Sequence, residues 1–113
     1  MKGMRTPAFE VRTERDGTVI IRPHGDIETN HAMQLRQLLV HTVRKIRPPR
    51  IVLDLTAVCR LDALNVGAVA AAYALGEDHQ VAVYVHNPAS HIAARLFAAG
   101  LPLPQLRQPG TAA

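Results

Sequence analysis

Apolar and polar positions alternate in steps of two at the start of this chain and shift to three- and four-residue steps further on. Phe9-Glu10-Val11-Arg12-Thr13 alternates, and Thr18-Val19-Ile20-Ile21-Arg22-Pro23 follows as a second strand. Asp16-Gly17 lies between them, and a two-residue Asp-Gly loop joining strand-like runs predicts a β-hairpin. Leu35, Leu38, Leu39, Val43 and Ile46 then recur at helical spacing, which predicts a helix from about His31 to Ile46 with one apolar face. Thr29 or Asn30 is placed to cap its start. Arg44, Lys45 and Arg47 sit at its far end, where positive charge suits the helix dipole, and Pro48-Pro49 stops it.

Arg50-Ile51-Val52-Leu53-Asp54-Leu55 is almost continuously apolar, as expected of a strand buried on both faces. A second helix is expected from about Val66 to Gly76, rich in alanine, which favours helix and lets the backbone approach a sheet closely. So broad an apolar stretch can also leave surface for a partner. Gly76-Glu77-Asp78-His79 reads as a turn and Gln80 to His86 as the next strand. Asn87 as cap and Pro88 at the first helical position predict a third helix with Ile92, Leu96 and Ala99 on its core stripe, ended by Gly100. Leu103 to Leu106 has room for a short edge strand, where Pro104 is acceptable. The order is hairpin, helix, strand, helix, strand, helix. It predicts an α/β fold with a mixed sheet of four to five strands, parallel outside the hairpin, and three main helices. The expected layout is a flexible N-terminus over 1–8, one domain over 9–107 and a frayed tail over 108–113.

Composition narrows the function classes. A chain of 113 residues, 48% hydrophobic and 19% charged, fits one globular domain. Thirteen Lys and Arg against nine Asp and Glu give a formal charge of +4, which bears on partners and solubility rather than fold. A single cysteine, Cys59, excludes an internal disulfide and a cysteine-built metal site. The first residues lack the apolar run of a signal peptide, and the run from Val66 to Leu75 is about half of what a membrane helix needs. The expectation is a cytoplasmic domain with no membrane partner. The six histidines contain no i, i+4 pair of the zinc-site type, so no metal is expected. The basic group Arg44, Lys45, Arg47 and Arg50 lacks interleaved stacking aromatics, and solvated helix-end charge is the favoured reading over a nucleic-acid surface. No Gly-rich phosphate loop is present, and no cofactor is expected.

Leu61-Asp62-Ala63-Leu64-Asn65-Val66-Gly67 follows the apolar strand and opens the alanine-rich helix. It resembles the Asp-Ser-Ser/Thr-Gly-hydrophobic-Gly motif of STAS domains, the fold of bacterial anti-sigma-factor antagonists. Gly25-Asp26-Ile27-Glu28 is similar to that family's Gly-Glu-Leu-Asp loop, and Pro88, Arg95-Leu96-Phe97 and Gly100-Leu101 resemble its last helix. The likeness spans about Phe9 to Leu101. It implies a non-enzymatic module that docks on an anti-sigma factor with a kinase-like ATPase domain. The implied partner-binding residues are Asp26, Glu28, Asp62, Ala63, Leu64, Asn65 and Gly67. Asp62 and Gly67 hold their places in the motif, but the hydroxyl positions are Ala63 and Leu64, and Asn65 replaces the first glycine. Leu64 stands at the phosphorylated position, where neither residue offers an atom to accept phosphate. The usual switch adds nearly two negative charges at a helix start and is expected to be absent. Asp62 equally reads as a plain helix cap, and Asp26 and Glu28 as solvated loop carboxylates. A scaffold role in another assembly stays open, as do a small enzyme built on Asp62, Asn65 and a histidine, a nucleotide-binding domain and a homodimer.

Overall fold

The computed structural model describes residues 9–28 and 31–107. Its elements are β1 (Phe9–Thr13), β2 (Val19–Pro23), α1 (Ala32–His41), β3 (Arg50–Asp54), α2 (Ala63–His79), β4 (Ala82–His86), α3 (Ser90–Ala98) and β5 (Leu106–Arg107). The five strands form one sheet in the order β1-β2-β3-β4-β5. β1 and β2 are antiparallel, and every later pairing is parallel. The mixed α/β sheet with an N-terminal hairpin is the expected architecture. The Thr29–Asn30 cap and the 1–8 and 108–113 termini lie outside the described residues.

The period-two pattern decides which side chains meet. Ile21, Leu53 and Val85 align across adjacent strands, as do Ile51 and Val83, and all are buried. Leu35, Leu39, Val43, Val69, Ala72, Ile92 and Leu96 complete this core from the helices. Side chains on alternate strand positions point to the opposite face, so Ile20, Val52 and Tyr84 form a row there. β3 is nevertheless buried at Ile51, Val52, Leu53 and Asp54, as its continuous apolar run implies.

Asp54 is charged within this half-dry surface. Burial works against its ionised form, but Thr56 Oγ1 and the Thr56 N–H donate to Oδ1, and Arg22 donates to Oδ2 at 3.1 Å. These partners together hold the carboxyl below the ordinary carboxylate range. Its contribution is therefore complete above the unfolded-chain value of about 3.9 and is lost as pH falls through the lower folded value. Asp54→Asn is expected to lower stability by about 1–3 kcal/mol at pH 7. The difference from wild type should shrink as pH falls through the lowered folded value. Urea denaturation of both proteins across this range checks it.

Several boundaries differ from the expected ones, each for a local reason. The hairpin turn is not a two-residue Asp-Gly loop. Gly17 N–H donates to the Glu14 carbonyl, and Glu14 N–H to the Thr18 carbonyl, so Arg15 and Asp16 are the central turn residues. Gly17 takes φ +91° after the turn, the bulge position that glycine fills without strain. α1 continues as a π-helical turn over Thr42–Ile46, closed by Arg47 in a left-handed conformation donating to the Thr42 carbonyl. Thr42 Oγ1 donates back to the Leu38 carbonyl at 2.7 Å, a bond that competes with the regular helical pattern.

α2 starts three residues before the expected Val66 and runs through the supposed turn at Gly76 to His79. Gly76 is a packing residue: a Cβ there would lie 2.4 Å from the Val81 carbonyl oxygen, where the chain doubles back into β4. Asn87 does not cap α3. It sits at φ +59°, its amide donates to Thr56 Oγ1, and Ala89 holds the cap position without a side-chain bond. Ala99 is exposed, and Ala93 joins Ile92 and Leu96 in the core instead. The final segment is a 3-10 turn over Leu103–Gln105, and only Leu106–Arg107 pairs with β4.

Candidate functional site

Two loops at the carboxyl end of the parallel strands are held against each other. Ile27 and Leu61 form an isolated parallel bridge, each almost wholly buried. Ile27 N–H donates to the Arg60 carbonyl at 2.9 Å, Asp62 N–H to the Ile27 carbonyl, and Gly25 N–H to the Ala57 carbonyl. Ile27 points inward, so its neighbours Asp26 and Glu28 point to solvent. Both loop carboxylates therefore belong to the surface on which α2 begins.

Asp62 is the N-cap of α2, with extended backbone. Its Oδ1 accepts the Asn65 N–H at 3.1 Å and the Asn65 side-chain amide at 2.8 Å. That capping bond satisfies one of the amides that a helix start leaves unpaired. Asn65 is completely buried, and its Nδ2 also donates to the Glu28 carbonyl at 2.9 Å. With acceptors on both sides, the amide orientation is fixed. Among the described residues its Oδ1 has no hydrogen-bond partner. Asn65 is thus the pin between the 25–28 loop and the start of α2, a role set from beneath the surface.

Ala63, Leu64 and Gly67 face outward. Leu64 is 59% exposed, a large apolar side chain displayed in the first helical turn. Ala71 and Ala74 continue the exposed face of α2, and a Cβ built at Gly67 meets nothing within 4 Å. Of the sequence-derived site residues, the fold places Asp26, Glu28, Ala63, Leu64 and Gly67 on the surface at one end of the domain. It places Asp62 half-buried and Asn65 fully inside.

A cleft of about 480 Å³ beside Asp62 is lined by Ile27, Glu28, Arg60, Leu61, Asp62, His91 and Arg95. Arg95 donates to the Leu61 carbonyl at 2.7 Å, and His91 Nε2 lies 3.1 Å from the Cys59 carbonyl. These two α3 residues fasten the loop to the third helix. Sequence reasoning gave them no site role, since their partners lie more than thirty positions away. Among the described residues no group of His, Cys, Asp or Glu is arranged to hold a metal. No helix there is long and apolar enough to cross a membrane.

This arrangement of hairpin, parallel strands and a capped small-residue helix is that of a STAS domain. The family model described as "Mlab, STAS domain" matches residues 11–102, and the chain belongs to the STAS family. The Bacillus cell fate determinant SpoIIAA, in its phosphorylated form, superposes with a TM-score of 0.76 at 20% identity, covering 89% of this chain and 90% of that one. An anti-sigma factor antagonist from Mycobacterium paratuberculosis matches at 28% identity and a TM-score of 0.64, covering 82% and 79%. SLC26A9 shares the fold at 16% identity and a TM-score of 0.63, over 81% of this chain but 18% of its own. No curated protein sequence matches this chain.

Proposed function

We propose that this protein is a non-enzymatic regulatory module of the anti-sigma-factor-antagonist type. It works in the cytoplasm by docking its α2 start on an anti-sigma factor with a kinase-like ATPase domain. The observation that carries this reading is Leu64, exposed at the head of α2 where the family motif has its phosphorylated hydroxyl. An apolar side chain displayed there gains by being covered, roughly 25 cal/mol for each Å² removed from water. Asp26 and Glu28 supply a polar rim, while Gly67 and Ala63 let a partner backbone come close. Asp62 and Asn65 hold this surface in shape. With no hydroxyl at 63 or 64, docking is not switched by phosphate at this position.

The fold also forms a small part of SLC26A9, so a scaffold role in a larger assembly is the second reading. Affinity capture from native lysate with wild-type and Leu64→Arg baits tests the choice. Antagonist-type docking predicts recovery of a kinase-like ATPase by wild type and its loss with Leu64→Arg, the two baits melting alike. Recovery of the same unrelated proteins by both baits would count against the α2 start as the docking face and favour the scaffold reading.

A further inference from the structure

The outer face of α1 and its π-helical extension has a composition unlike the rest of the surface. From Ala32 to Leu53 the chain has no acidic residue, yet Arg36, Arg44, Lys45 and Arg47 all stand exposed in it. Elsewhere Arg12 pairs with Glu14, Arg22 with Asp54 and Arg50 with Asp16, Arg95 is bonded to the Leu61 carbonyl, and the other exposed arginines, Arg15, Arg60 and Arg107, stand singly along the chain. None of the four α1 cations has an ion-pair or hydrogen-bonding partner among the described residues. Lone cations on a helix end are ordinary. Here they also flank apolar surface, because Met33 is 63% exposed and Val40 is only partly covered.

Met33, Arg36, Val40, Arg44 and Lys45 line an open groove of about 380 Å³ along this face. Its length from Met33 to Lys45 is about 18 Å at the helical rise per residue, enough to seat three turns of a second helix. The π-helical turn displaces Arg44 and Lys45 from regular α-helical register at one end of the groove. Apolar contacts in the middle, cations around them and no anion within reach on the same element leave an acidic partner as the complement.

We infer that this face is a second docking surface, and that its occupant is an acidic amphipathic protein segment. One apolar side chain of that segment packs between Met33 and Val40, and its carboxylates meet Arg36, Arg44 and Lys45. Helix-in-groove recognition works in this way, with apolar anchors giving affinity and flanking charges giving orientation. Arg and Met are residues that interfaces favour. This surface is separate from the Leu64 face and does not rest on the antagonist reading.

The test is selection of random peptides of roughly helix length (~12 residues) against the full chain. Bound peptides are then mapped by backbone amide shifts. The expected winners carry Asp or Glu on both sides of a large apolar residue and move amides between Met33 and Lys45. The Arg36→Glu/Arg44→Glu double variant should bind them at least about tenfold more weakly, and Met33→Ala should also weaken them. Both variants should melt like wild type, since these exposed side chains have no hydrogen bond or ion pair among the described residues. Rising salt should weaken wild-type binding, because exposed charges are screened. Winners without acidic bias, or shifts confined to α2, would overturn the proposal. So would co-sedimentation with phosphatidylglycerol vesicles that selected acidic peptides fail to displace, which would assign the face to a lipid surface.

Discussion

Asn65→Asp is expected to lower the thermal midpoint by more than about 10 °C at pH 7. The wild-type amide is fully buried and donates in two directions, to the Glu28 carbonyl and to Asp62 Oδ1. The substitution keeps the shape but removes both donors, leaving an acid facing two acceptors. Unpaired buried polar groups cost about 1–3 kcal/mol each, and a buried charge costs more. A total near 3 kcal/mol corresponds to well over ~10 °C in a domain of this size. The sign of the pH dependence follows. Burial beside Asp62 raises the introduced carboxyl's folded pKa above its unfolded value, so the penalty is greatest at neutral pH. It should shrink as pH falls through that raised value and the group becomes neutral. Calorimetry of both proteins at pH 7 and near pH 4.5 reads this difference directly. An unchanged midpoint would mean that Asn65 does not pin the two loops.

Gly76→Ala and Gly67→Ala make the same chemical change in one helix and should move stability in opposite directions. At Gly76 the new methyl would lie 2.4 Å from the Val81 carbonyl oxygen and 3.0 Å from a Val83 methyl. The Val81 N–H is itself bonded to the Gly76 carbonyl at 2.8 Å, so backbone on both sides must shift. Such overpacking costs about 1–3 kcal/mol, more than alanine's helix preference of roughly 1 kcal/mol returns. At Gly67 the methyl meets open space, and the helix preference acts alone, a gain of up to about 1 kcal/mol. Chemical denaturation of the two variants should therefore place them on either side of wild type. If Gly76→Ala were neutral, the close approach of α2 to the start of β4 would be wrong.

These two glycines also show how far the sequence can be read. Alternation marks β1, the turn residues after it mark β2, an unbroken apolar run marks β3 and a leucine stripe marks α1. α2 was harder, because small residues all round leave little periodic signal and Gly76 looks like a terminator. Its real reason is a contact with a neighbouring segment, which no local pattern carries. Asn87 misled in a similar way: the Asn-Pro pair fits a cap, but the side chain is engaged by Thr56 from the loop after β3. At the candidate site, the motif residues at 25–28 and 61–67 were legible, and the structure brings both segments together. The inward role of Asn65 depends on the Glu28 carbonyl, and the Arg95 and His91 contacts on loop backbone groups. Backbone acceptors distant in sequence leave no trace in residue type.

The Asp62 cap has a practical consequence for testing the docking face. Replacing Asp62 would remove the cap bond and disturb Asn65, confusing loss of binding with loss of shape. Leu64 makes no such contribution, being exposed on the outer side of the first turn. The most direct measurement is the affinity of the purified captured ATPase for wild type and Leu64→Arg, with thermal melts of both as control. The account predicts at least a tenfold loss of affinity, ~1.4 kcal/mol or more, at an unchanged melting point. Equal affinity for the two proteins would contradict docking through the exposed head of α2.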